Sequence, residues 1–350
     1  MLESKLSYLI DPLREMICQY DVIIRGYREQ SGAMIAGLTC DMLPPELTVP
    51  RGLVPVRIPS LTTGRCTAAG IPAPPALDGI YDCIVVPRGC AGRESIPALN
   101  VPLHEFAVPT GWGEEASRSM EAALDDLLRR AGRSGLAGID AALLRSVTGD
   151  YNAFRRLVRG ITSVRRDKPD LLSCRELAAV HEAAQVFPPA VVAGHLATLL
   201  GEMNKTVSSF GKETVPALVY GSFIGDAAVL DEIEEEGCLI VEDDACGGRR
   251  QFDMSYNHES SDLLHEILDA FSYRPRCPSV RAVGERIELF HSMLKSHGIE
   301  LVIFMEDLCC PCRRRDIESL RLWLMRSGVD PVVVSSENAV VKIRDYMSKL

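Results

Sequence analysis

The C-terminal part of the chain alternates short apolar runs with helix-period segments, and this alternation is the strongest constraint on the fold. The apolar runs lie at 217–220, 238–241, 300–305 and 332–334, and amphipathic segments follow them. Strands separated by helices imply a parallel sheet with right-handed crossovers. The sequence therefore predicts an α/β lobe over residues 211–350.

The N-terminal part predicts a second lobe of the same class. Apolar residues at helical spacing indicate an N-terminal helix, which we place at residues 1–30. Strand-like runs at 34–38, 54–58 and 81–87 define a first α/β lobe over residues 31–135. Helical patterns then predominate, so residues 136–210 are predicted to form a helical connector. A chain of 350 residues is long enough to bury two such cores.

The distribution of charge limits which partners and which cellular compartment we expect for this chain. Acidic and basic residues interrupt the apolar positions of the first twenty residues, so we expect no signal peptide or membrane span there. We therefore expect a cytoplasmic protein without a membrane partner. The net charge of −10 argues against nucleic acid, which needs a clustered basic face. Two basic clusters, Arg155/Arg156/Arg159 and 313–315, are interpreted as solvated helix faces, with anion contacts as the alternative.

Five of the twelve cysteines stand just after strand-like runs: Cys40, Cys90, Cys246, Cys309 and Cys310. Ligands bind at the carboxyl ends of the strands in open α/β sheets. In a reducing compartment, thiols more often serve metals or redox chemistry than disulfides. These positions therefore predict a metal centre. Six of the other seven are expected to be buried small side chains, namely Cys18, Cys66, Cys83, Cys174, Cys238 and Cys277.

The segment 309–312 places three thiols in four positions, directly before a helix predicted from Asp316. A structural zinc site would need a second ligand pair at short spacing, which the sequence does not offer. An iron–sulfur cluster can instead collect thiolates that are distant in sequence. The cysteines therefore favour an iron–sulfur cluster, with zinc or unligated thiols as the alternatives.

The segment 241–250 combines acids, Cys246, a glycine pair and an arginine pair. The glycines Gly247 and Gly248 let backbone approach a ligand, and Arg249 suits a phosphate or carboxylate. The acids at 243–244 could equally begin a helix. Asp244 and Glu46 are the acids considered for a general base, although Glu46 could equally brace a short helix. Nucleotide signatures of the Walker A and GxGxxG types are missing from the sequence, so ATP and NAD are not expected.

Several of these segments resemble one known family. The stretches GLTCDMLPPEL at 37–47 and RGLVPVR at 51–57 are similar to the first cysteine segment of the 2-hydroxyacyl-CoA dehydratases. The related benzoyl-CoA reductase subunits and double-cubane-cluster reductases share it. Residues 85–90 resemble the second cysteine segment, and residues 241–249 resemble the segment Asp-Asp-x-Cys-x-Gly-x-Arg. Cys310, with an aspartate six residues later, follows the last family element.

The resemblance implies two Rossmann-like or flavodoxin-like lobes with an iron–sulfur cluster between them. The cluster would be a [4Fe-4S] cubane or an 8Fe-9S double cubane, ligated by Cys40, Cys90 and Cys310. Cys309 and Cys312 leave the third ligand open, and Cys246 and Arg249 are further cofactor-binding candidates. The implied partners are a homologous second subunit or a second copy of the chain, an ATP-dependent iron–sulfur activator protein and an acyl-CoA substrate.

Three functions are compatible with the resemblance. The first is the radical dehydration of a 2-hydroxyacyl-CoA, in which Glu46 or Asp244 could assist as a base. The second is a double-cubane or benzoyl-CoA-reductase-like reductase subunit. The third is a non-catalytic role in relaying or maturing a cluster. The stoichiometry of iron and sulfide separates one cubane from two.

Overall fold

The structure is a computed structural model that describes residues 4–59, 79–88, 100–109, 111, 113–211, 213–221, 228–273, 283–306 and 311–350. For residues 311 and 312, only the backbone is described. The strands of the first sheet are β1 (Met34–Leu38), β2 (Leu53–Arg57), β3 (Cys83–Pro87) and β4 (Leu103–Phe106). The strands of the second sheet are β5 (Val215–Tyr220), β6 (Cys238–Asp244), β7 (Leu301–Met305) and β8 (Asp330–Val334).

Both sheets are parallel and share one topology. The first sheet has the order β2-β1-β3-β4 and the second the order β6-β5-β7-β8, so the first strand of each lobe lies inside its sheet. In the first sheet, Leu38 of β1 aligns with Arg57 of β2 and Val85 of β3. The α/β prediction with two Rossmann-like or flavodoxin-like lobes is thereby confirmed.

The helices fill the intervals between the strands. They are α1 (Asp11–Cys18), α2 (Tyr20–Ser31), α3 (Pro45–Thr48), α4 (Glu114–Arg130), α5 (Ala141–Asp167), α6 (Cys174–Val186), α7 (Pro189–Lys205), α8 (Ala228–Glu235), α9 (Leu263–Tyr273), α10 (Val283–His297), α11 (Pro311–Arg326) and α12 (Ala339–Met347). Proline suits a first helical turn, which explains why α7 begins at Pro189. None of the described helices is long and apolar enough to cross a membrane.

Most predicted strands agree with the structure to within two residues, and three other boundaries differ in a way that matters for the site. The N-terminal helical region is interrupted at Gln19, which separates α1 from α2. Strand β6 continues to Asp244, so Asp243 and Asp244 belong to a strand and the helix-start interpretation of these acids is wrong. Helix α11 begins at Pro311 rather than Asp316, because proline is well tolerated at a helix start.

Helix α9 links the two halves of the chain. It follows β6 in sequence, yet it packs with α4 against the first sheet through Leu263, Ile267 and Phe271. On the opposite face of the first sheet, residues of α1, α2 and α5 to α7 form one large apolar cluster. The second sheet is enclosed by two further clusters, one on each face. Contacts between residues that are distant in sequence therefore hold the lobes together.

The cysteines expected to be buried divide into three groups. Cys83, Cys174 and Cys238 are buried, as predicted. Cys18 is exposed at the end of α1, so the prediction is wrong there, because this position lies on the solvent side of an amphipathic helix. Cys66 and Cys277 lie outside the described residues.

Candidate functional site

Cys40 lies two residues beyond the end of β1, at the carboxyl edge of the first sheet. Its side chain is half-buried and packs against the apolar cluster beneath that sheet. The Cys40 Sγ donates a hydrogen bond to Asp41 Oδ1 over 3.3 Å. Both residues line a cavity of about 690 Å³, a volume that includes its opening to solvent. We call this cavity the cleft.

The carboxyl edges of the two sheets meet at the cleft. Arg57, the last residue of β2, donates from Nη1 to the backbone carbonyl of Cys246, beyond the end of β6. The same Nη1 donates to Gln185 Oε1 over 2.8 Å. Gln185 Nε2 in turn donates to the carbonyl of Gly247 over 2.7 Å, and Gln251 Nε2 donates to that of Cys246 over 2.6 Å. These bonds hold residues 245–248, which follow β6 and which we call the Cys246 loop, against the first lobe.

The cleft is lined by polar groups and by aromatic rings. The side chains of Arg57, Gln185 and Gln251 line it together with Cys40 and Asp41. Its aromatic lining is Tyr151, Phe154, Phe187, Phe252 and Phe271. Large rings exclude water and lower the local dielectric constant, which strengthens every polar interaction inside.

The remaining predicted thiol ligands follow strands that the structure describes. Cys90, Cys309 and Cys310 lie outside the described residues, as does the side chain of Cys312. The strands before them are described: β3 pairs with β1, and β7 pairs with β5. Since parallel strands end at one edge, these strands end at the carboxyl edges on which Cys40 and Cys246 lie.

Glu46 forms a fully buried ion pair close to the cleft. Its Oε1 lies 2.5 Å from Nη1 of Arg155, a residue that lines the cleft. The guanidinium of Arg155 also lies over the rings of Tyr151 and Tyr256, at 5.7 and 5.4 Å from their centroids. Burial lowers the pKa of Arg155, but Glu46 together with Tyr256 and Tyr151 outweighs burial, and the net pKa is raised. Such pairing argues for an anchoring role of Glu46.

Asp244 is the centre of a buried cluster of arginines. Its carboxylate contacts Arg250 Nη1 at 2.8 Å, Arg313 Nη2 at 3.4 Å and the Nη1 of Arg286. Its backbone carbonyl accepts a further bond from Arg313 Nη1 over 2.6 Å. Burial raises the pKa of Asp244, but the three guanidinium charges outweigh burial and hold it well below its usual range. A carboxylate held in this way is a poor general base.

The basic clusters are not simply solvated helix faces. Arg155 and Arg313 are buried, which contradicts the sequence interpretation for both, because each has an acidic partner from a distant part of the chain. Arg156 is exposed, as predicted. The adjacency of arginines in sequence therefore does not place them on one surface.

The structure explains why a glycine occupies position 248. A Cβ atom at this position would lie 1.5 Å from Asp243 Oδ1, so a larger residue would not fit. The Asp243 carboxylate accepts hydrogen bonds from the backbone N–H groups of Ala245, over 3.1 Å, and Arg249, over 3.3 Å. The sequence predicted that a ligand approaches the backbone here, but at Gly248 the approaching group is the side chain of Asp243. Its hydrogen bonds fix the shape of the Cys246 loop.

Arg249 points away from the cleft and is not among the described residues that line it. Its Nη1 pairs with Glu242, and its Nη2 lies 3.3 Å from Asp253 Oδ1. Glu242 also contacts His297 Nε2 at 2.8 Å and Arg166 Nη1 at 3.6 Å. Of the predicted cofactor-binding residues that the structure describes, Cys40 lines the cleft, whereas Cys246 and Arg249 do not. The backbone carbonyl of Cys246 is bound by Arg57 and Gln251, which line the cleft, and Arg249 faces a neighbouring region.

Stability should depend on pH through Glu242. Burial raises the pKa of Glu242 to about 8, although the charge of Arg249 opposes this. Between the unfolded value of 4.5 and about 8, the folded chain holds a proton that the unfolded chain has lost. The free energy of unfolding should therefore fall by a few kcal/mol as pH rises from about 5 to about 8.

Urea unfolding of the wild type and of Glu242→Gln across this pH range checks the prediction. The wild type should lose more stability with rising pH than the variant does, because glutamine cannot titrate. Burial lowers the pKa of His297, which gives a slope of opposite sign. Because His297 contacts Glu242, both proteins are measured in a His297→Asn background, which removes this slope. Equal slopes in the two proteins would contradict the assignment to Glu242.

A second group of potential metal ligands lies away from the cleft. Ligand atoms of Cys174, Asp231 and Glu234 lie within 4.8 Å of one another. However, Arg165 Nη2 already donates to Cys174 Sγ over 3.1 Å and to Glu234 Oε2 over 2.5 Å. Burial raises the pKa of Cys174 well above its usual value, so the thiol keeps its proton. A buried guanidinium thus takes the place of a cation, and we assign no metal to this group.

Sequence reasoning missed the residues that join the lobes. Arg57, Gln185 and Gln251 come from β2, from α6 and from the 3-10 turn Arg249–Phe252, and they converge only in the folded chain. Arg57 does lie at the end of a predicted strand, which is a weak signal for a site. The two glutamines carry no comparable signal, because glutamine is common on helix surfaces.

Comparison with known proteins adds one match. A family model described as 2-hydroxyglutaryl-CoA dehydratase, D-component, matches residues 81–342. A search of curated proteins finds no match to the chain. The matched region covers most of the chain, including the segments of Cys90, Cys246 and Cys310, and begins after the segment of Cys40.

Proposed function

This chain belongs to the 2-hydroxyglutaryl-CoA dehydratase D-component family, and from that premise we propose that it binds an iron–sulfur cluster at the cleft. The observation that carries the proposal is the position of Cys40. Its thiol lies at the carboxyl edge of the first sheet, where the Cys246 loop of the second lobe is bound. The reaction that we propose is the dehydration of a 2-hydroxyacyl-CoA.

The residues at the cleft suit a cluster. Thiolates are the protein ligands of cubane clusters, and Cys40 offers one inside a partly enclosed cavity. We propose Cys40, Cys90 and Cys310 as the ligands, with Cys246 as a reserve. When bound, the cluster would supply low-potential electrons and a Lewis-acidic iron. We also propose a cytoplasmic location, since such ligation needs reduced thiols.

The residues around Cys40 have separate tasks in this proposal. Ligation needs a thiolate, and Asp41 Oδ1 is placed to accept the proton of the Cys40 thiol. Arg57 and Gln251 hold the carbonyl of Cys246, which fixes the distance between the lobes. The aromatic rings of the cleft exclude water from the site.

Glu46 and Asp244 fit anchoring roles better than base catalysis. Both are buried against arginines, and neither is among the described residues that line the cleft. We propose that Glu46 fixes Arg155 at the cleft, and that Asp244 fixes the start of the Cys246 loop through its contacts with Arg250 and Arg313.

The proposed partners follow from family membership. A D-component is one part of an enzyme, so we propose that the chain works with a homologous subunit or a second copy of itself. We further propose an ATP-dependent iron–sulfur activator as electron donor and an acyl-CoA as substrate. The sequence carries no Walker A loop, which fits an ATP requirement met by another protein.

Anaerobic purification of the full chain tests the proposal. The wild type should contain about four irons and about four sulfides per cubane, or about twice that for a double cubane. Cys40→Ser should lose most of the iron and the visible absorption. Cys18→Ser is the matched control, because Cys18 is an exposed thiol on α1. A protein that contains only zinc, or a Cys40→Ser variant with unchanged iron, would refute the proposal.

A further inference from the structure

A second cavity adjoins the cleft on the far side of Phe252, which lines both. It lies between α5, the 3-10 turn Arg249–Phe252 and the end of α10, with a volume of about 580 Å³ including its opening. Four basic side chains line it, namely Arg159, Arg166, Arg249 and His297. We call it the basic cavity.

Arg159 is held by neutral groups alone. Its Nη1 donates to the backbone carbonyls of Phe252, over 2.5 Å, and Met254, over 3.0 Å. Its Nε and Nη2 donate no hydrogen bond to any residue that the structure describes, and no described carboxylate lies within 4.0 Å. Burial lowers the pKa of Arg159, although the charge of Asp253 opposes this. This guanidinium therefore has free donors and no carboxylate in direct contact among the described residues.

Arg166 is also compensated only weakly. Its Nη1 lies 3.0 Å from His297 Nδ1, and its Nη2 donates to Ser163 Oγ over 3.1 Å. Its nearest described carboxylates are those of Glu242, at 3.6 Å, and of Asp167, at 3.7 Å, and the latter is largely exposed and screened by water.

The acidic partners at the basic cavity are shared unevenly. Arg249 pairs with Glu242 and Asp253 and also lies near the carboxylate of Asp243. Arg159 contacts no described carboxylate, and Arg166 lies 3.6 Å from that of Glu242. An anion in the cavity would give these two guanidiniums a partner that the described residues do not supply in full.

We propose that the basic cavity binds a phosphate group, either as free phosphate or as a phosphate monoester. Guanidiniums present several N–H donors in a fixed fork, and those of Arg159 and Arg166, both on α5, suit the free oxygens of a tetrahedral phosphate. The Ser163 hydroxyl, which also lines the cavity, can donate a further bond. The inference does not rest on the proposed function, since it follows from charge and geometry alone.

Titration calorimetry with inorganic phosphate on the full chain tests the site at constant ionic strength, because salt screens such binding. Arg159→Gln and Arg166→Gln should each weaken binding about tenfold or more, since each loses charge-assisted hydrogen bonds. Arg156→Gln is the matched control: Arg156 is exposed on the same helix, does not line the cavity and should leave binding unchanged.

Two outcomes would overturn the proposal: no phosphate binding by the wild type, or equal losses in all three variants. Arg159→Gln also removes bonds to two carbonyls, so thermal unfolding without phosphate must show that it folds. Arg166→Gln leaves those carbonyl bonds intact and keeps the test decisive if Arg159→Gln does not fold.

Further titrations distinguish the sources of the phosphate. Adenosine 3′,5′-bisphosphate, the nucleotide end of coenzyme A, is compared with adenosine and with inorganic phosphate. Tighter binding of the bisphosphate than of inorganic phosphate, lost in Arg159→Gln, indicates a monoester ligand. Binding of inorganic phosphate alone indicates free phosphate. Binding of adenosine as tight as that of the bisphosphate would overturn the phosphate assignment. None of these titrations depends on iron content. Failure of the phosphate proposal is therefore distinguishable from failure of the proposed function.

Discussion

Asp244→Asn should lower the free energy of unfolding by about 3–5 kcal/mol, because removing one partner of a buried ionic group leaves the other charges without compensation. Asp244 is buried, and its carboxylate contacts Arg250, Arg286 and Arg313. The guanidinium of Arg313 also lies 4.8 Å from the ring centroid of Tyr220, inside the second lobe. An amide keeps the shape of the side chain but loses its charge.

The loss of stability caused by Asp244→Asn should depend on pH. The pKa of Asp244 is held well below its usual range, so its stabilising contribution is complete above the unfolded value of 3.8. The wild type loses this contribution as pH falls below about 4 through the folded pKa. The difference in stability between the wild type and Asp244→Asn should therefore be large at neutral pH and shrink in acid.

Urea unfolding at neutral pH measures this effect. Asp11→Asn is the matched control, because Asp11 pairs with Arg14 at 3.2 Å on the surface and is 70% exposed. That variant should lose less than about 1 kcal/mol. If Asp244→Asn were as stable as the control, the arginine cluster would not depend on this carboxylate.

Arg155→Met should be the second most damaging change, again at about 3–5 kcal/mol, since it leaves a carboxylate buried without its partner. Glu46 has no exposed surface, and its Oε2 has no hydrogen-bond partner among the described residues. The methionine can still occupy the space between Tyr151 and Tyr256, so the loss should come mainly from the charge of Glu46.

The double variant Glu46→Leu/Arg155→Met separates charge from packing. It should recover most of the stability lost in Arg155→Met, because an apolar pair of similar volume often replaces a buried ion pair at little cost. Arg129→Met is the control for a surface pair, since Arg129 is 63% exposed where it meets Asp125. A double variant as unstable as Arg155→Met would show that the arginine acts through packing instead.

The local pattern of the chain predicted its elements well. The predicted helical connector contains α5, α6 and α7, and the double proline at 188–189 separates α6 from α7, because proline favours a first helical turn. The strand β6 was predicted too short, because acidic residues are rare inside strands. Side chains alternate along a strand, which explains why Glu242 and Asp244 both contact α10 while Asp243 binds the Cys246 loop.

The sequence alone determined the two parallel α/β lobes and the position of Cys40 at a strand end, because hydrophobic periodicity and turn residues act locally. Only the tertiary structure decided what meets at that end. Arg57 reaches Cys246 across 189 positions of the chain, and Arg249 turns to Glu242 instead of the cleft. The partner of each arginine depends on which charged residues, distant in sequence, become buried together. Packing of the folded chain decides this, and no local sequence pattern does.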